Sequence, residues 1–188
     1  MTGDAYLTDQ FLIAMPAMQD GNFVRTVAYV CRHTAEGAMA LVVNRTCGLS
    51  VADILDQLKL SAGAPALADM PVLSGGPVQT DRGFVLHADD GRPWESTLVV
   101  RPGLCLTTSR DILVALAEAR APSPLLFALG YAGWGAGQLD RELLENAWLT
   151  VPANPAILFD TPVEQRWQAA ADLVGVDLSR MSGYAGRA

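Results

Sequence analysis

The sequence predicts an α+β fold built on a mainly antiparallel, curved sheet, and three observations carry that reading. Runs of β-type residues outnumber helical runs roughly two to one, and they follow one another consecutively. A doubly wound parallel fold would need steadier alternation of strand and helix. Short turns rich in Gly, Pro and Asp separate the strands of the middle third. With 188 residues, of which 51% are hydrophobic and 18% charged, the chain has enough apolar material for one substantial core. It reads as a single domain over residues 1–188, with about ten flexible residues expected at the C-terminus.

The elements follow in order. Strands are expected at 11–15, 24–32 and 38–44, after which "NRTCGLS" turns the chain into a helix. Ser50 and Asp53 stand at capping-box spacing, and Val51, Ile54, Leu55 and Leu58 repeat on one helical face. "SAGAPALADMP" (61–71) is an ordered loop. "VLSGG", "GFVLHA", "STLVVRPG" and "LCLTT" then read as short strands. In "TTSRDILVALAEA", Thr108 and Asp111 stand at cap spacing, ahead of an apolar side made by Ile112, Leu113 and Leu116. "PSPLLFALGYAGW" is a buried strand leading to a helix over 138–147, and "WLTVP" and "AILFD" look like a further pair of strands. Thr161, Pro162 and Glu164 start a last helix with Val163, Trp167, Ala170 and Ala171 as its stripe and Gly175 beyond its end. About four helices are expected around the sheet.

Charge narrows the function. The net charge is −7, with ten acidic residues in 1–94 and ten in 95–188, against six and seven basic ones. That balance repels nucleic acid and supplies no basic stripe for phosphate contacts. A DNA-recognition helix would need a helical partner a short turn before it, and none of the expected helices, the last included, has one. No charged n-region precedes "FLIAMPAM", and no run reaches the roughly 20 apolar residues of a membrane span. Cys31, Cys47 and Cys105 are odd in number and scattered, as suits reduced thiols in a cytosolic protein.

Several clusters could carry chemistry. "LGYAGWGAGQLDRELLENAW" (129–148) places Gly133, Trp134, Gly135, Gly137 and Gln138 between strand and helix. Its spacing is G-x-G-x-G, so the third glycine of a dinucleotide fingerprint is replaced by Gln138, and no P-loop lysine follows. A tight turn is favoured, with an anion at the free N–H groups as the functional alternative. "SGGPVQTDRGFVLH" (74–87) holds Ser74, Asp81 and His87 in the order of a hydrolytic triad, but without the context of a nucleophile elbow. A glycine bend followed by a "TDRG" turn is the plainer reading. Ligand binding by Ser74, Gly75, Gly76 and Arg82 ranks above catalysis there.

Thr108, Ser109 and Arg110 lie at a helix start, where anions are favoured. Cys31 and His33, two apart on a strand, should share a face, with Cys47 near. No CxxC or HxxxH pair completes a zinc set, so no metal is expected. Asn44 and Arg45 read as a solvated turn.

The segments "MPAMQDGNFVRTVAYVCRH", "GAMALVVNR", "LSGGPVQTDRGFVLH", "TTSRDIL", "LGYAGWGAGQLDRELLENAWLT", "ILFDTPVEQRW" and "SGYAGRA" run from Met15 to the C-terminus. Together they resemble the AlgH/YqgE family of bacterial proteins, whose biochemical function is unknown. The resemblance implies a single α+β domain whose bifurcated, partly barrel-like sheet is surrounded by helices. It supplies no catalytic residues. Its name comes from a proposed regulator of alginate synthesis, a label that no DNA-binding motif supports here. Ala136 stands where relatives often have Pro, and Arg187 where they often end in "GHA".

Three functions compete on these grounds. The leading one is a cytosolic, non-catalytic module, without cofactor, for a small anionic ligand or a protein partner. A transcriptional regulator and a hydrolase using Ser74 and His87 are the alternatives. The first expects two of three segments, the glycine clusters at 74–76 and 133–137 and the Arg110 helix start, to converge on one concave surface.

Overall fold

A computed structural model describes residues 6–61, 63, 65–67 and 69–181. Ten strands form one continuous sheet. They are β1 (Gln10–Ala14), β2 (Val27–Thr34), β3 (Gly37–Val42), β4 (Thr46–Ser50), β5 (Pro71–Ser74), β6 (Val78–Ala88), β7 (Thr97–Arg101), β8 (Leu104–Thr107), β9 (Leu125–Gly135) and β10 (Trp148–Pro152). Eight follow the path β10-β1-β2-β3-β9-β6-β8-β7, curled into a half-barrel, and β4 and β5 branch from it. All pairings are antiparallel except β5 with β9. The expected α+β class and curved antiparallel sheet are therefore observed.

The fork lies on β9. Its C-terminal half, Ala132–Gly135, pairs with β3, while Ala128 and Leu129 pair with β5. Two glycines allow the close approach there. Gly130 has φ +74° and a Cβ on it would lie 2.4 Å from the Gly76 carbonyl oxygen; a Cβ on Gly76 (φ +152°) would lie 2.1 Å from the Tyr131 carbonyl carbon. Only glycine fits at either place.

The described helices are α1 (Val51–Gln57), α2 (Arg110–Ala117), α3 (Gln138–Leu144), α4 (Pro155–Phe159), α5 (Arg166–Val174) and α6 (Leu178–Met181). The Ser50–Asp53 capping box forms as read: the Asp53 N–H donates to Ser50 Oγ, and the Ser50 N–H to Asp53 Oδ2. Gly175 ends α5 at φ +71°.

Several local expectations are corrected. "AILFD" is not a strand but α4, because the Asn154 side chain caps the Ala156 N–H and Pro155 sits in the first turn. The helix expected from Thr161 is α5, which starts at Arg166 after a 3₁₀ turn over Val163–Gln165. "TDRG" is no turn: it lies within β6 (Val78–Ala88), where the pairing with β9 shifts between Val78 and Gly83. "NRTCGLS" contributes a strand, β4. Asn44 and Arg45 are not a solvated turn either. Asn44 bridges the Val27 N–H and the Arg25 carbonyl, and Arg45 donates to the carbonyls of Gly21, Asn22 and Val24.

Three apolar layers result. The largest fills the inside of the curl, from Phe11, Tyr29 and Leu41 to Phe84 and Leu106, and α4, α5 and α6 cover it with Ile157, Leu158, Ala170, Ala171 and Leu178. The second packs Ala28, Val30, Trp134 and Trp148 against Leu139 of α3. The third sets Val85 and Phe127 under α1 and α2. Arg166 is buried and bonds the carbonyls of Val43 and Thr161 at 2.7 and 2.9 Å, which ties α5 to the end of β3.

Candidate functional site

Three strands change phase on the inner face of the curl, and each change turns a side chain toward it. In β2 the pairing with β3 shifts between Val30 and Arg32, leaving Cys31 as an extra residue. Tyr29 and Cys31 face the inner core, and after the bulge Arg32 faces the same side. In β6 the pairing with β9 jumps from Val78↔Tyr131 to Gly83↔Leu129, so Gln79–Arg82 form a bulge. In β9 the left-handed Gly130 reverses the alternation. Leu126 and Ala128 lie on the inner side before it, and Tyr131 after it.

Arg32, Arg82 and Tyr131 thereby line one open cavity of about 430 Å³ at the margin of the inner core. Its floor is Met39, Phe84, Leu98 and Leu106, and its polar wall is Gln79, Ser96, Thr97 and Thr108. A second cavity of about 480 Å³ adjoins it and shares Arg32, Met39 and Tyr131. That one extends along β3 past Gly37, Ala38, Val78, Gly133 and Trp134, with Thr34 and Glu36 at its border. Both volumes fall in the range of small-molecule sites, about 300–1,000 Å³.

The polar wall is held in place. Arg82 donates from Nη2 to Thr108 Oγ1 at 3.0 Å and from Nη1 to Gln79 Oε1 at 3.4 Å, with its guanidinium 5.8 Å from the Phe84 ring centre. Thr108 Oγ1 lies 3.2 Å from Ser96 Oγ. Behind them, Ser109 Oγ accepts the Ser96 N–H, and Asp111 accepts the Glu95 and Ile112 N–H groups and the Ser109 hydroxyl. Burial opposes ionisation of Asp111, but the hydrogen bonds from Ser109, Glu95 and Ile112 outweigh it and hold the carboxyl below its usual range. Arg32 is exposed, and its side chain makes no hydrogen bond or ion pair among the described residues. Two guanidiniums over an apolar floor suit an oxyanion that carries apolar bulk.

The sequence-derived candidates divide between places. Arg82 and Thr108 line the first cavity, and Gly133 and Trp134 the second. Of the three segments named for convergence, 133–137 (by Gly133 and Trp134) and the start of α2 (by Thr108) thus line adjoining cavities, and the 74–76 glycines line neither. Thr108 is not the cap of α2: Ser109 occupies that position, and the Thr108 hydroxyl serves Arg82 instead. Ser109 supports the wall from behind, and Arg110 lines neither cavity.

Ser74 and Gly76 line a separate hollow of about 180 Å³ with Arg45 and Thr80, while the Gly75 N–H is spent on the Leu129 carbonyl. The strand read in "PSPLLFALGYAGW" is β9, which runs one residue further, to Gly135. The Gln138 side chain accepts the Gly135 N–H and donates to Glu142, and Gly137 (φ +67°) makes the bend.

Other groupings are not assembled. Ser74 lies opposite Leu129 and His87 opposite Leu125 on β9, a separation of about 13 Å along the strand. Both His87 ring nitrogens are engaged, Nδ1 with the Ala88 carbonyl and Nε2 with Thr107 Oγ1, each at 2.8 Å. Cys31 and His33 do not share a face. The bulge between them sends Cys31 into the inner core and His33 to the outer side, where its Nδ1 accepts the Leu7 N–H at 3.1 Å and its Nε2 is 3.8 Å from Asp140. Burial pushes the Cys31 thiol up to about 12, the opposite of a reactive cysteine. A short helix, α4, does precede α5, contrary to expectation. Ile157 and Leu158 of α4 are buried, and the exposed positions of α5 are Gln168, Asp172 and Leu173, which offer a phosphate no cation. Among the described residues no helix is long and apolar enough to cross a membrane.

The residue that sequence reading missed is Arg32. Regular alternation places it on the face opposite Cys31, and nothing in "YVCRHT" marks the bulge that brings it to the cavity.

Known proteins place the chain in a family. The family model described as AlgH-like (DUF179) matches residues 11–179. A UPF0301 protein of Thioalkalivibrio sulfidiphilus is 53% identical over 188 residues, the whole of both chains. One from Saccharophagus degradans is 54% identical over 182 residues, which is 97% of this chain and 89% of its own. The solution structure of the AlgH protein from Pseudomonas aeruginosa matches with a TM-score of 0.79 at 51% identity, covering 100% of this chain and 99% of that one. A crystal structure from Corynebacterium diphtheriae shares the fold, with a TM-score of 0.71 at 18% identity over 97% of this chain and 94% of its own. The chain belongs to the AlgH-like (UPF0301) family, a family of unknown function.

Proposed function

We propose that the protein is a non-catalytic binding module that holds a small anionic ligand in the cavity between Arg32 and Arg82. The observation that carries this reading is the pair of bulges. Each interrupts a different strand, and each supplies one arginine to the same hollow. Bulges cost ladder hydrogen bonds and recur where a strand must re-aim a side chain. Phe84 beneath one guanidinium and the Thr108 and Ser96 hydroxyls beside it complete a surface for an oxyanion with an organic body. Both histidines are committed to structural bonds, which supports binding rather than acid–base chemistry.

Thermal denaturation of the full chain against a panel of phosphorylated and carboxylated metabolites tests this. A ligand present at 100 times its dissociation constant stabilises the fold by about 2.7 kcal/mol. In Arg32→Ala and Arg82→Ala that stabilisation should fall to about 0.4–1.4 kcal/mol, as a ten- to hundredfold loss of affinity requires. A ligand whose effect survives both substitutions undiminished would place binding elsewhere and sink the proposal.

A further inference from the structure

We infer that the two adjoining cavities form one elongated site, with an oxyanion head between Arg32 and Arg82 and an uncharged, apolar arm lying over Gly133; the inference rests on the binding reading above. Size is the first argument. A bare oxyanion takes the room of about two or three waters, at about 30 Å³ each, a small part of the 430 Å³ first cavity and none of the 480 Å³ second. Shape is the second. The cavities share Arg32, Met39 and Tyr131, so a molecule held at the arginines meets the second compartment directly.

Chemistry selects the arm. Ala38, Met39, Val78 and Gly133 give that compartment an apolar floor, and Glu36 on its border disfavours a second anionic group. Gly133 keeps the floor low, because a Cβ there would stand 3.2 Å from the Tyr131 ring. The two compartments meet at the Arg32, Met39 and Tyr131 side chains. Recognition falls to side chains, as for a small amphiphile whose head is a phosphate or a carboxylate.

Calorimetric titration of the full chain with two series, alkyl phosphates and alkanoates from one to six carbons, tests the arm apart from the head. Affinity should rise about fourfold for each added methylene in at least one series, the value for a buried CH₂. The series that rises identifies the head. Gly133→Leu should flatten the rise with chain length. Val78→Phe, at a position 36% exposed and so open to substitution, should do the same and covers the case in which Gly133→Leu fails to fold. Arg32→Ala should weaken every member alike. Flat series in the wild-type chain, with the one-carbon anions still bound, overturn the elongated site and leave the head reading standing. Binding of no member, heads included, overturns both.

Discussion

Arg82 and Thr108 stand 26 residues apart, yet the guanidinium donates to the hydroxyl at 3.0 Å. The contact exists because β6 and β8 pair with Val85 opposite Thr107, and because the bulge at Gln79–Arg82 turns the arginine inward. Arg82 is exposed at its outer side and carries little of the fold. Arg82→Ala should therefore leave the unfolding free energy within about 0.5 kcal/mol of wild type. Oxyanion affinity should fall about ten- to a hundredfold, the worth of a hydrogen bond to a charged group. Urea unfolding beside calorimetric titration separates the two effects, and a loss of stability with affinity unchanged would make Arg82 a structural residue.

What the sequence revealed of this site follows from which signals are local. The capping box at Ser50–Asp53 and the stripe of α5 depend on neighbours within one turn, and both were legible. Arg82 and Thr108 were legible as residue types beside glycines and a helix start. Their meeting was not, because strand register is a long-range property. Arg32 was hidden for a sharper reason. A period-two reading assigns every side chain of β2 to a face, and one extra residue at Cys31 reverses all that follow, which misplaced His33 as well. The "AILFD" error is of another kind. Ile, Leu and Phe suggest a strand, but Asn154 and Pro155 carried a helix-start signal that outweighed them.

Glu142 gives the second prediction. Its Oε2 accepts the indole N–H of Trp134 at 2.9 Å and of Trp148 at 2.8 Å, and Oε1 accepts Gln138 Nε2 at 3.0 Å. Both tryptophans are buried, at 6% and 3% exposure. Glu142→Ala leaves both indoles without an acceptor, at about 1–3 kcal/mol each. Glu142→Gln keeps one oxygen for them and should cost less than half as much. Denaturant midpoints, read with the slope held constant, check the ranking. Equal losses in the two variants would show that the carboxylate's charge, not its acceptor geometry, holds the cluster.

Asp111 predicts an acid-side dependence. Its folded carboxyl lies below its ordinary value because Ser109, Glu95 and Ile112 donate to it against the opposing effect of burial. A depressed carboxyl contributes stability that is fully present above the unfolded value, about 3.9, and is lost as pH falls through the folded one. Melting temperature should therefore drop below about pH 4, and Asp111→Asn should flatten part of that drop while lowering stability at pH 7. Asp53, held down by the Ser50 backbone and hydroxyl, acts in the same direction, so the double variant should be flatter still. An unchanged acid slope in Asp111→Asn would remove Asp111 from the account.

The fork of the sheet supplies the last prediction. Gly76 and Gly130 face each other where β9 passes from β3 to β5, both with positive φ. A methyl on Gly130 would meet the Gly76 oxygen at 2.4 Å, and one on Gly76 would meet Tyr131 backbone at 2.1 Å. These are backbone atoms, of β9 and of the loop between β5 and β6, and have no rotamer by which to withdraw. Left-handed strain of about 1–2 kcal/mol adds to the overlap. Gly130→Ala and Gly76→Ala should each cost more than about 3 kcal/mol, at the severe end for single substitutions. Gly91→Ala is the control. It shares a positive φ (+76°) but has nothing within 4 Å of its Cβ, so it bears the strain without the clash. Denaturant unfolding of the three variants tests the difference. A Gly130→Ala cost no greater than that of Gly91→Ala would mean that the strands at the fork can part, and that Tyr131 is not fixed against the cavity it lines.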